Sequence, residues 1–270
     1  MVTALRAGWR SLGRQRFALT ALFLHHLAWG WVSYRFWRSV VEPFWLRFPG
    51  GVSEEAERLF AAELMFRLLR SGEVASVLVA IVALTAVRFT LHSAIAAGIV
   101  HSMHRPDLNA GFRFVEGIRR WWAAFAAWDA IRLALSAAPA YWVWREARDA
   151  LMSAGEWRSA AAELAPWLAG WIVWTGALRL LTLYAQIGLA GGTGWRSGMA
   201  AALRNATAAV GIWAAIVACT GLVSLATLAV AFVWAGFGAL IVYQAAHALH
   251  ALLRLWGTAA HYRIWADRKR

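Results

Sequence analysis

A chain of 270 residues with 61% hydrophobic residues and a positive mean hydropathy is unusual for a water-soluble domain and ordinary for a polytopic membrane protein. The formal charge of +13 would point to nucleic acid only if the basic residues gathered on a water-facing domain, and here they sit in short connections between apolar runs. One cysteine, Cys219, excludes an intrachain disulfide and any multi-cysteine metal site, and it reads as a small residue of an apolar helix.

The reading that follows is an all-α membrane domain of six spans, with no nucleic-acid partner. Residues 1–16 form an amphipathic entry helix: Leu5, Trp9 and Leu12 share one face, while Arg6, Arg10 and Arg14 recur every fourth residue on another. Such a helix suits the anionic cytoplasmic leaflet, or serves simply as a basic flank that fixes orientation. No small-residue cleavage site follows the first apolar run, so a signal peptide is not expected. That run, residues 17–34, is the first span, short but bounded by Arg16 and Arg35, whose stems can snorkel outward. Pro43, Pro49 and Gly50 break the helix, and a surface helix over residues 54–70 is expected behind Ser53 as its N-cap.

The second span, residues 74–103, carries a single charge, Arg88. At 1.5 Å per residue Arg88 lies ~22 Å from Glu73 and ~25 Å from Arg105, near the centre of a hydrocarbon core ~30 Å thick. Pro106 and Gly111 predict a turn before a short amphipathic helix over residues 107–120. The third span, residues 121–144, holds Asp129 and Arg132 three residues apart, on one face. A charged connection broken by Gly155 leads to the fourth span, residues 166–190, with Arg179 near its middle and a glycine loop behind it. Residues 205–253 bear no formal charge and, at ~73 Å as helix, are too long for one crossing and suited to two, near 206–230 and 234–257. The turn between them falls at Gly236–Gly238 or at Gly221–Ser224. A basic tail closes the chain.

Lys and Arg in the connections set the orientation. The segment before the first span, the second and fourth connections and the tail are all net basic; the first and third are neutral or slightly acidic. Six spans with both termini in the cytoplasm of a bacterial inner membrane satisfy that alternation.

Only Arg88, Asp129, Arg132 and Arg179 are charged at mid-depth. Asp129 can neutralise one arginine, and the remaining charge calls for water, carbonyls, a bound anion or a partner subunit's acid. Arginine's planar fork suits phosphate or carboxylate. The functional expectation is therefore a layer of Arg88, Arg132, Arg179, Asp129 and neighbouring His92 that receives an anionic group such as a lipid phosphate. The alternatives are a structural network that locks the bundle and a docking layer for another subunit. His25 and His26 in the first span, with His92 in the second, are candidate ligands for a b-type haem, although no C-x-x-C-H motif is present. His247 and His250 lie three residues apart without an adjacent carboxylate, which favours packing over metal binding. Gly-rich phosphate loops, H-E-x-x-H and G-x-S-x-G are all absent, and Asp129 is the only mid-span acid, so no catalytic residues are assigned and a non-enzymatic role is expected.

A short echo links Thr85-Ala86-Val87-Arg88, followed by Gly111-Phe112-Arg113, with Ala177-Leu178-Arg179, followed by Gly194-Trp195-Arg196. Parallel repeats of this kind occur in transporters. The segments LRAGWRSLGRQRF, GFRFVEGIRRWW, LYAQIGLAGG with WRSGMAAALRN, and QAAHALHALLRLWGTAAHYRIW together resemble uncharacterised bacterial six-span membrane families. These include the membrane region fused to some glycerophosphodiester phosphodiesterases. The resemblance implies a helical membrane domain; the catalytic domain of the fused proteins has no counterpart, so their activity is not implied. Two functions stay open: a permease-like or lipid-handling protein, and a subunit of an exporter whose separate ATPase grips residues 107–120. A haem protein or membrane enzyme ranks behind both.

Overall fold

The computed structural model describes residues 1–42, 73–153, 157–233 and 237–267. Every regular element among them is a helix. The chain divides into two compact units, one of Met1–Leu22 and Ser93–Arg270 and one of Phe23–His92. In order, the helices are α1 (Val2–Ser11), α2 (Arg16–Phe36), α3 (Glu73–His104), α4 (Ala110–Ala137), α5 (Ala140–Ser153), α6 (Trp157–Ala190), α7 (Trp195–Arg204), α8 (Ala206–Val233) and α9 (Phe237–Ala266). The expected helix over 54–70 lies outside the described residues.

Among the described residues, three stretches are long and apolar enough to cross a membrane: Ala75–His104, Ala161–Ala190 and Ala206–Val230. They coincide with the expected second, fourth and fifth spans. Much of their apolar surface is uncovered: Val79 is 68% exposed and Leu222 67% exposed. Apolar surface on that scale suits lipid rather than water. Helices α2, α4 and α9 stand where the other expected spans fall, but each mixes polar groups into its apolar run.

Several boundaries differ from the sequence reading. The short helix expected over 107–120 and the third span are one continuous helix, α4. Its start is set by Asn109, whose side chain accepts from the Gly111 N–H at 3.0 Å, and nothing at Arg119 or Arg120 interrupts the hydrogen-bond ladder. Its end comes at Ala137, well before residue 144, because Pro139 has no N–H for the carbonyl of Leu135. That carbonyl is taken instead by the Trp174 indole N–H and the next, of Ser136, by Trp171, each at 2.9 Å. The charged connection is largely helical. Helix α6 begins at Trp157 and carries Pro166 inside it, because the run Ser159-Ala160-Ala161-Ala162 forms helix readily and a proline costs it one bond. Helix α8 runs straight through Gly221–Ser224, which removes that candidate turn, and the other candidate, Gly236–Gly238, begins outside the described residues. The basic tail is helical to Ala266.

That tail is helical because α1 docks on it. The packed face of α1 is built on the small Ala4 and Gly8 and continues to Leu12 just past its end, with Leu5 half-buried beside it and the exposed Trp9 meeting Trp256 edge-on at 5.4 Å. A Cβ added at Gly8 would lie 2.9 Å from the Ala260 nitrogen, the close approach that small residues permit. The Trp256 indole donates to the Leu5 carbonyl at 2.8 Å, and Arg6, Arg10 and Arg14 remain exposed.

Helices α6 and α7 make a second close crossing. Gly192 and Gly194 adopt positive φ in the turn, and a Cβ at Gly198 would fall 2.0 Å from the Tyr184 carbonyl oxygen. Around this crossing lies the main core: Ala97, Val100, Phe125, Tyr184, Ile187, Ala201, Ala202, Ala209 and Trp265.

Candidate functional site

The antiparallel pair α4 and α6 fixes the height of the polar residues. Near one end Trp174 reaches Leu135, and nearer the other the Gln186 amide reaches the Phe125 carbonyl at 3.5 Å. Residues 129 and 132 of α4 and 179 of α6 fall between these two ties.

Asp129 is buried, and both its oxygens are engaged. Ser93 Oγ, itself fully buried on α3, donates to Oδ2 at 2.7 Å. Arg132 Nε lies 3.5 Å from Oδ1, one helical turn along the same face. Arg179, opposite on α6, is close enough to interact electrostatically with both Arg132 and Asp129. It has no hydrogen bond or ion pair among the described residues, and it is exposed. Two guanidiniums thus share the field of one carboxylate that is already occupied. The remaining positive charge is uncovered on a helix apolar enough to cross a membrane, a setting that favours an anion.

On its far side the layer meets α9. His261, buried beyond the expected sixth span, places Nδ1 3.3 Å from the Tyr184 hydroxyl. Burial, and secondarily the charge of Arg179, push the His261 imidazole down to about 4, so it is neutral near pH 7.

The other expected site residues lie in the second unit. Arg88 is exposed, with its guanidinium carbon 5.7 Å from the centre of the Trp29 ring, a cation–π contact. His92 is half-buried on the same helix. The rings of His25 and His26 are 6.0 Å apart, and His25 is 6.3 Å from Trp29. Consecutive helical residues point about 100° apart. At most one of this pair can therefore face a given site. Among the described residues no three His, Cys, Asp or Glu side chains are grouped as a metal site.

A second polar group ties the entry helix to the turn between α3 and α4. Ser102 Oγ donates to Gln15 Oε1 at 2.9 Å and the Gln15 amide donates to the Ser102 carbonyl at 3.2 Å. The buried Arg113 guanidinium donates to the carbonyls of Arg14 and Pro106, and His101 Nε2 lies 3.6 Å from a Glu116 oxygen. In the turn itself, a backbone hydrogen bond and then Arg105 hold the Asp107 carboxyl below its usual range.

The sequence reading found Asp129, Arg132 and Arg179 but not Ser93, Tyr184, Gln186 or His261. Ser93, Tyr184 and Gln186 are polar groups inside apolar runs, and the same depth argument applied to uncharged residues finds them. His261 was hidden in what read as a tail. No family model, curated protein or solved structure matches the chain. The family resemblance therefore rests on the sequence pattern alone.

Proposed function

We propose that the chain is a non-enzymatic, multi-pass protein of a bacterial inner membrane, permease-like or lipid-handling, in which Arg132 and Arg179 hold an anionic group. In this reading α2, α4 and α9 also cross the membrane, giving six spans with both termini in the cytoplasm. The alternating charge of the connections supports it. So does the position of the basic residues of α1, the α3–α4 turn and α7, which follow from the helix order onto one end of the bundle.

The single observation that carries the site is Arg179. It faces a carboxylate already held by Ser93 and Arg132, and it has no ion pair of its own among the described residues. A structural network would be expected to close on itself. This one leaves a guanidinium fork, suited to phosphate, unspent.

The test is native mass spectrometry of the protein extracted gently from its own membrane. Wild type retains an anionic lipid that Arg179→Ala and Arg132→Ala lose while remaining monodisperse. Variants that simply fail to fold, with no lipid on the wild type, would make the layer structural. The subunit reading has one observation in its favour: Phe112, Val115 and Arg119 present an exposed, partly apolar face on the first turns of α4. A co-purifying ATPase lost on Phe112→Asp would favour it.

A further inference from the structure

The charge of the layer narrows what the anion is. Among the described residues of this unit, Arg179 interacts with Arg132 and Asp129, leaving one net positive charge from two guanidiniums and one carboxylate. The neighbouring His261 is neutral and Tyr184 is a hydroxyl, so neither alters that balance near pH 7. Asp129 cannot move aside to make room for more negative charge. It is buried, and its Oδ2 is fixed by Ser93, which is itself completely buried.

We propose that the Asp129–Arg132–Arg179 layer selects a singly charged phosphodiester and discriminates against a phosphomonoester, with Asp129 as the residue that sets the preference. This rests on the anion-site reading above. A phosphodiester brings one negative charge, which the layer neutralises. A monoester has a second ionisation near pH 6 and brings close to two above neutral pH. The second charge would stay uncompensated in a poorly solvated place and would face the Asp129 carboxylate, a like-charge contact that disfavours the wrong ligand. The two planar forks can each engage a pair of phosphate oxygens, and a diester retains two unesterified oxygens to share between them.

The experiment uses the full chain in phosphatidylcholine nanodiscs at pH 8, doped equally with phosphatidylglycerol, a diester, and phosphatidic acid, a monoester. Native mass spectrometry counts the lipids retained. Wild type is expected to keep phosphatidylglycerol over phosphatidic acid by at least about threefold, the size of preference that a mismatch of one charge readily supplies. Asp129→Asn is expected to shift the ratio about tenfold toward phosphatidic acid, and Arg132→Gln to reduce retention of both. Because Asp129 is buried and its variant can fail to fold, the wild-type ratio decides alone. If phosphatidic acid is held as well as phosphatidylglycerol or better, charge selection is wrong and the anion site stands. If neither is held above phosphatidylcholine, the anion site itself is wrong. Dimethyl phosphate at millimolar concentration separates the sources: displacement of phosphatidylglycerol assigns a free phosphodiester, and failure to displace it assigns the lipid headgroup.

Discussion

Arg88 and Arg179 look alike in the sequence, each the central charge of a long apolar run, yet the structure treats them differently. Arg88 stacks on Trp29 in the second unit, a contact that satisfies a cation without consuming a carboxylate. Arg179 stands beside Asp129 and Arg132, where one carboxylate serves two cations and is anchored from a third helix by Ser93. Arg88 has an aromatic partner, whereas Arg179 shares a carboxylate that Ser93 and Arg132 already hold. Depth in a span does not distinguish the two; the neighbours on adjacent helices do.

The contrast can be broken most forcefully at Asp129. Asp129→Ala leaves two cations without their anion and Ser93 without its acceptor. It should cost about 3–5 kcal/mol, the range for breaking a buried pair, read as lost monodisperse protein and a lowered melting temperature in detergent. Arg88→Ala should cost far less by the same measure and should leave lipid retention unchanged.

The next effect in size comes from pH. The folded pKa of His261 lies near 4, below the ordinary 6.5, so the unfolded chain binds a proton that the folded chain refuses. The stabilisation is complete above pH 6.5 and is lost as pH falls towards 4, by at most about 3 kcal/mol at 1.36 kcal/mol per pKa unit. Melting temperatures recorded from pH 7.5 to 4.5 should fall across that window, and His261→Gln should flatten the slope. An unchanged slope in the variant would show that other groups carry it.

Smaller changes sharpen the comparison. Ser93→Ala should destabilise by about 1.5–3 kcal/mol, the worth of a hydrogen bond to a charged group, and should loosen lipid selectivity along with it. Trp29→Leu should cost about 0.5–2 kcal/mol and should bring Arg88 closer in behaviour to Arg179. Orientation can be tested on a Cys219→Ala background. A cysteine at residue 71 should react with an impermeant thiol reagent from outside, and one at Ser197 only after permeabilisation.

The helices and the three most apolar spans were legible because hydrophobicity sets them locally. Arg132, Asp129 and Arg179 were legible because a charge among apolar residues stands out. What stayed hidden depends on contacts between distant parts of the chain. The helical tail needs α1 against Ala260, and the role of Ser93 needs Asp129 to arrive from α4. The continuity of α4 was missed because a basic pair, Arg119 and Arg120, reads as a boundary of depth when it is no boundary of structure. The continuation of α6 past Pro166 was missed for the opposite reason, a strong local breaker overruled by its helical neighbours.

The proline break at the end of α4 bears on the order of synthesis. In an apolar surround the carbonyls of Leu135 and Ser136 cannot turn to water, and each unsatisfied group would cost several kcal/mol. Their donors, Trp174 and Trp171, are 39 and 35 residues later in the chain. A chain made from its N-terminus therefore completes α4 only when α6 arrives. Under the proposed six-span reading the two helices would insert as one unit, and a nascent chain halted between them would hold a span with an open end.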